Sequence, residues 1–231
     1  MSSQAKLLAI ESRLKEINSR IAAACDDAGR ASEDVNLLAV SKTKPIEDIE
    51  QALAAGHKHF GENYLQDALG KIETLGSNPI WHFIGAIQSN KTRAIAENFH
   101  WVHTVSSLKI ARRLNDQRPD HLPPLKCFLQ VNIDQDPAKS GLMPGALPEV
   151  LEPMAEFEQL ELMGLMTLPR QREALKDQRE PFRRLRLLQE QFLPRQNQLS
   201  MGMSGDLEAA ILEGATWVRV GTDIFGAREN T

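Results

Sequence analysis

Cysteine, tyrosine, long apolar runs and an excess of positive charge are all missing or scarce in this 231-residue chain, and each scarcity excludes something. The two cysteines, Cys25 and Cys127, stand alone with no CxxC or Cys/His ligand spacing, so neither a disulfide framework nor a zinc or other metal site is expected. No apolar run approaches the roughly 18 residues that a membrane span needs, and the polar N-terminus lacks the apolar centre of a signal peptide. A reducing, cytoplasmic compartment is the resulting expectation. The formal net charge of −4 carries none of the basic footprint that nucleic-acid binding leaves. In the densest basic stretch, "REPFRRLRLLQEQF", Phe182, Leu185, Leu188 and Phe192 recur at helical spacing. That predicts an amphipathic helix whose Arg179, Arg183, Arg184 and Arg186 form a solvated face. No GxGxxG follows the first apolar run, as a dinucleotide-binding sheet would require.

What is present is a repeat of strand and helix. Leu7, Ile10, Leu14, Ile17, Ile21 and Ala24 step by three and four, which predicts an N-terminal helix over residues 1–28, stopped by Gly29. Eight short apolar runs then read as strands, at 35–41, 57–62, 80–85, 101–105, 125–133, 160–168, 198–203 and 216–222. Helical patterns separate them, such as "PIEDIEQALAAG", with Pro45 near its first turn and Gly56 as its stop. This alternation implies parallel strands with helical crossovers, and eight units match a closed (β/α)8 barrel, with an open doubly wound sheet as the competitor. The expectation is one domain over 1–231, with the barrel at 35–228 and an ill-ordered loop at 169–178.

In such a barrel the chemistry collects at the C-terminal ends of the strands. Those ends hold Lys42; Glu62, Asn63 and Tyr64; His82 and Gly85; Ser200, Gly202 and Ser204; and Arg219, Gly221 and Thr222. The glycine-rich turns after strands seven and eight suit a phosphate, because small residues let backbone N–H groups approach it. The plainer reading is that Ser204 caps a helix and the glycines only turn the chain. Lys42, on the strand next to strand eight in a closed barrel, is either a strand-end lysine reaching into water or an amine placed to form a Schiff base. A phosphate cradle beside such an amine leaves two ligands open, pyridoxal 5′-phosphate or a sugar phosphate. Arg219 either faces a pyridine nitrogen, which it would require to be an unprotonated acceptor, or pairs with Glu62 or Asp223.

Together, "LLAVSKTKP", "FGENYLQDALGK", "WHFIGAIQSNK", "VNIDQDPAKSGL", "LMGLMTLP", "LSMGMSGDLEAAI" and "VRVGTDIFGAR" resemble the YggS/PROSC family, the pyridoxal phosphate homeostasis proteins, over residues 35–228. Ala86 replaces an expected proline and the 170–178 loop has no family pattern, but neither is expected to touch the site. The resemblance implies a barrel similar to the N-terminal domain of alanine racemase, with pyridoxal 5′-phosphate (PLP) held as an internal aldimine on Lys42. It implies phosphate contacts from Ser204, Gly221 and Thr222 and a ring-nitrogen contact from Arg219. Asn63, Ser200 and Met201 lie in matching motifs, and Lys139 matches a lysine tied to secondary handling of the cofactor. The implied role is intracellular vitamin B6 homeostasis by a monomer that engages apo-enzymes transiently, without significant turnover. In keeping with that, the chain stops nine residues after Thr222, so the β-domain that gives the related racemases their second base, a tyrosine, is expected to be absent. The only tyrosine, Tyr64, is not assigned that role. A small PLP-dependent racemase using one base and water, or a sugar-phosphate aldolase, would be the alternatives.

Overall fold

A computed structural model describes residues 3–226, with side chains from residue 7 onward. Residues 227 and 228, the last of the expected barrel segment, lie outside the described residues. Eight strands follow one another around a closed parallel barrel: β1 (Asn36–Val40), β2 (His59–Glu62), β3 (Ile80–Phe83), β4 (Trp101–Val105), β5 (Leu125–Gln130), β6 (Leu160–Met166), β7 (Gln198–Met203) and β8 (Trp217–Val220). β8 pairs with β1 in parallel from Asn36↔Trp217 to Ala39↔Val220, which closes the ring and removes the open-sheet alternative. The helices are α1 (Ser3–Ala28), α2 (Ile46–Ala54), α3 (Leu65–Leu75), α4 (Thr92–Asn98), α5 (Leu108–Gln117), α6 (Leu147–Met154), α7 (Leu175–Phe192), α8 (Leu207–Leu212) and α9 (Thr222–Phe225).

The strands are buried on both faces, so successive residues serve two cores. Outward residues such as Ala39, Phe60, Trp81, Val102, Leu199 and Val218 belong to the large apolar layer under the helices. Leu38, Trp101, Phe128, Met166 and Trp217 face inward as a smaller cluster. Full burial of such a side chain is worth about 1.5–3 kcal/mol, so the outer layer carries most of the apolar driving force. The predicted stripe of α1 (Ile10, Leu14, Ile17, Ile21, Ala24) is buried in that layer, where α1 packs on α2, α8 and α9.

Three local outcomes differ from expectation. β8 stops at Val220, because the chain turns at Gly221 and Thr222 opens the one-turn α9. The 169–178 stretch is tied down: Leu175 already starts α7, Arg172 pairs with Asp134 at 2.7 Å, and Arg170 pairs with Asp136 at 3.1 Å. The basic face of α7 is likewise partly engaged, with Arg179 and Arg186 on Glu213 and Arg184 donating to the Ile133 carbonyl at 2.7 Å, while Arg183 stays exposed as expected. No helix among the described residues is long and apolar enough to cross a membrane.

Candidate functional site

A cavity of about 1020 Å³ opens at the C-terminal ends of the strands. Lys42, Asn63, Ser204, Arg219, Gly221 and Thr222 all line it, so six residues singled out from sequence meet in one place. Lys42 sits beyond the strand end, in a turn where the Lys44 N–H donates to the Ser41 carbonyl at 3.0 Å. Lys44 points elsewhere, its amine donating to the Gly226 carbonyl at 3.0 Å. Asn63 is held by a close backbone approach: a Cβ on Gly85 would lie 2.0 Å from the Asn63 carbonyl oxygen, so only glycine fits there. The Asn63 side-chain oxygen is buried with no hydrogen-bond partner among the described residues.

At the end of β7, Gly202 takes a φ of 93° and would press a Cβ to 2.6 Å from the Ala210 methyl group. The plainer alternative for Ser204, a helix cap, does not hold. Asp206 holds that position before α8, its carboxylate accepting from the Met203 N–H at 2.6 Å. The Ser204 hydroxyl therefore stands on the cavity wall with no hydrogen bond to another described residue, while its carbonyl accepts from Arg20 at 2.8 Å. At the start of α9, next to it, the Ile224 and Phe225 N–H groups donate to the Gly221 carbonyl, which leaves the Thr222 and Asp223 N–H groups without an intrahelical partner. Asn63, Ser204 and Thr222 thus bring polar groups to a common space.

Arg219 pairs with neither carboxylate considered for it. Glu62 points outward from β2, where Lys71 of α3 binds it at 2.9 Å, and Asp223 pairs with Arg20 at 3.3 Å. Arg219 instead donates to the Ser200 hydroxyl at 2.7 Å and to the Thr167 carbonyl at 2.9 Å. Burial pushes its pKa down to about 10, with Asp206 opposing, so it stays charged at neutral pH.

Beneath Arg219 runs a feature that the sequence reading missed apart from His82. The Ser200 hydroxyl meets His103 Nδ1 at 2.7 Å, His103 Nε2 meets His82 Nδ1 at 2.9 Å, and His82 Nε2 meets His59 Nδ1 at 3.0 Å. A guanidinium only donates, so Ser200 accepts from Arg219, and its own proton has His103 Nδ1 as partner. His103 and His82 then each accept one bond from above and pass one N–H downward, His59 Nδ1 accepts the last, and all three imidazoles are neutral in this arrangement. Burial, reinforced by the neighbouring rings and by Arg219, lowers the pKa of His82 and His103 well below the usual range, and that of His59 to about 4. The signal was present in "HKHF", "WHF" and "WVHTV", three successive strands each with an inward histidine.

Not every expected residue reaches the cavity. Ser200 lies behind Arg219, and Met201 is fully buried in the outer layer with its side chain facing the helices. A register shift between Ser200 and Met203 in β7 brings Met203 to the cavity wall instead. Conversely, Ala86 and Gln171, Arg172, Glu173 and Gln178 of the 170–178 loop do line it, contrary to the expectation that these departures lie away from the site. Lys139 is on the same wall, its amine donating to the Leu168 carbonyl at 3.1 Å.

The chain matches the family "Alanine racemase, N-terminal domain" over residues 13–229. It is 52% identical over 221 residues to the pyridoxal phosphate homeostasis protein of Pseudomonas aeruginosa, covering 95% of this chain and 96% of that one. The Escherichia coli K12 protein of the same name is 45% identical over 228 residues, covering 95% and 97%. Among solved structures, PipY of Synechococcus elongatus with PLP bound superposes with a TM-score of 0.81 at 36% identity, covering 94% of this chain and all of PipY. An alanine racemase of Clostridium difficile shares the fold at a TM-score of 0.74 and 12% identity, with 60% of its length covered. The chain belongs to the alanine racemase N-terminal domain family and, within it, to the pyridoxal phosphate homeostasis proteins.

Proposed function

We propose that the chain, as a single unit and a monomer in the cytoplasm, binds pyridoxal 5′-phosphate in the barrel-mouth cavity and serves its homeostasis, passing the cofactor to apo-enzymes without significant turnover of its own. The observation that carries this reading is the convergence of an amine, unpartnered polar groups and a buried guanidinium on one cavity. The relatives named as homeostasis proteins and the PLP-bound PipY support it from outside the chain. The free, buried Cys25 and Cys127 fit a reducing compartment.

The residues suit the group. Ser204, Gly221 and Thr222 offer a hydroxyl and backbone N–H donors for a dianionic phosphate, in a turn without bulky side chains. Asn63 has an unsatisfied amide oxygen for a polar substituent of the ring. Arg219, charged and aimed from below by Ser200 and Thr167, would face the ring nitrogen as a donor, which suits an unprotonated nitrogen there. Lys42 would supply the amine that holds the cofactor through its aldehyde. When bound, PLP supplies an electron sink, and the Arg219 contact weakens it. The cavity wall holds no tyrosine or histidine among the described residues, and the Tyr64 side chain is mostly exposed. Both points favour a carrier over a racemase, which needs a base on each face of the α-carbon.

Purified protein is expected to be yellow, with the absorbance lost in Lys42→Ala. Borohydride treatment followed by peptide mapping is expected to label Lys42, and labelling at another lysine refutes the assignment. Exchange of amino-acid α-protons with solvent, robust in the wild type and abolished in Lys42→Ala, would establish a racemase-type enzyme instead.

A further inference from the structure

A buried polar cluster lies on the far side of the Lys42 turn, outside the cavity. Ser41 is fully buried and held three ways: its N–H donates to the Gly61 carbonyl at 3.0 Å, its hydroxyl donates to Glu62 at 2.6 Å, and its carbonyl accepts from Lys71 Nζ at 3.0 Å. The Lys71 ammonium also donates to Glu62 at 2.9 Å and to Asp67 at 2.8 Å, so all three of its protons are placed. The same Asp67 oxygen accepts from the Thr43 N–H at 3.4 Å. Thr43 has a φ of 60°, a conformation that β-branched residues avoid unless their surroundings impose it. The residues before and after Lys42 are therefore both fastened to α3.

Stability alone is a poor explanation for this arrangement. Removing Glu62 and Lys71 from water opposes their mutual attraction. Burial pushes the Glu62 carboxyl up despite Lys71, and its second oxygen has no partner among the described residues. A covalent bond to an aldehyde held by its own phosphate and ring contacts, in contrast, depends steeply on where the amine stands.

We propose that Lys71, together with Glu62 and Asp67, is a positioning device for Lys42: by fixing Ser41 and Thr43 it sets the backbone from which the Lys42 amine enters the cavity. The proposal rests on the reading of Lys42 as the attachment lysine. The test compares two ligands on the full-length apo-chain. PLP reports covalent capture, followed as borohydride-fixed label on the Lys42 peptide against time. Pyridoxine 5′-phosphate, with an alcohol in place of the aldehyde, reports the phosphate and ring contacts alone. In Lys71→Met, capture at Lys42 is expected to slow by about tenfold or more, with the affinity for pyridoxine 5′-phosphate within about twofold of wild type. Asp67→Ala, a change at a partly exposed side chain that removes the Lys71–Asp67 and Thr43–Asp67 contacts but leaves the buried Glu62–Lys71 pair intact, is expected to slow capture less, by about threefold, and it decides the matter should Lys71→Met fail to fold. Unchanged capture in Asp67→Ala and Lys71→Met, or an equal loss of both ligands in the variant that folds, overturns the proposal. A wild-type chain that binds pyridoxine 5′-phosphate but fixes no PLP at Lys42 overturns the attachment reading itself, which is a different result.

Discussion

His59 and Phe60 are adjacent on β2 and live under different constraints. Phe60 faces the helices, fully buried, with its ring 6.0 Å from that of Trp81 in a layer of aliphatic and aromatic side chains. His59 faces the barrel axis, with its ring 5.2 Å from His82 and 5.0 Å from Trp217. The outer layer is held by volume and apolar area, so its tolerance is set by how well a gap can be refilled. The inner layer is held by a run of hydrogen bonds, in which His103 and His82 each use both ring nitrogens and His59 ends the run. In the first a missing atom leaves a hole, and in the second it leaves a buried polar group with nothing to bond.

The comparison can be broken from either side. The largest effect is expected from Phe60→Ala, which should lower stability by about 3–5 kcal/mol in urea unfolding with little change in ligand affinity; a loss under 1 kcal/mol would deny the outer layer its stabilising role. Acid should act next, and through the inner layer. An unfolded histidine takes up a proton near pH 6.5, whereas His82 and His103 in the fold stay neutral well below that. As pH falls below about 6.5 the unfolded chain binds more protons than the folded one, so stability drops by up to about 1.4 kcal/mol per pH unit for each of the two. Above about pH 7.5 their contribution is complete and flat. Melting temperatures between pH 7.5 and 5 measure this, and His82→Gln with His103→Gln should flatten the slope. Ser200→Ala should do least, about 1–2 kcal/mol, because it strands one donor of Arg219 and one acceptor of His103. A neutral result there would mean that the chain of bonds does not act as a unit.

Much of this was legible in the sequence, for a physical reason. Parallel strands buried on both faces are continuous apolar runs, and the helices between them have their own period, so the alternation that announces a (β/α)8 barrel survives without any alignment. Strand ends could then be placed on one face, and Lys42, Asn63, Ser204, Arg219, Gly221 and Thr222 meet there. Which side chain faces inward was harder. Period-two reasoning fails at a bulge, and β4, β6 and β7 each carry a register shift; the one in β7 is why Met203 reaches the cavity, while Met201, carried by the resemblance, faces outward. Lys71 was invisible for another reason: a lysine in the middle of an amphipathic helix reads as solvated, and only the tertiary meeting with Glu62 and Ser41 reveals it as buried. The pairing of Asp223 with Arg20 rather than Arg219 likewise joins parts of the chain that no local pattern connects.

α1 bears on how the molecule comes together in time. The helix after β8 is a single turn, and α1 covers the neighbouring surface of the barrel by packing on α8 and α9. Arg13 bonds the Ile224 carbonyl across 211 residues, Arg20 bonds the Ser204 carbonyl across 184, and Arg30 bonds the Ala215 carbonyl across 185. Contacts between such distant parts of a chain close the largest loops and gain their free energy only after that entropy has been lost. Closure of β8 on β1 and docking of α1 therefore belong to the same late event, in which the wall around Ser204, Gly221 and Thr222 takes its final form. The ligand site is then completed only in that late event, so ligand added during refolding should act on the last phase and leave the early ones alone.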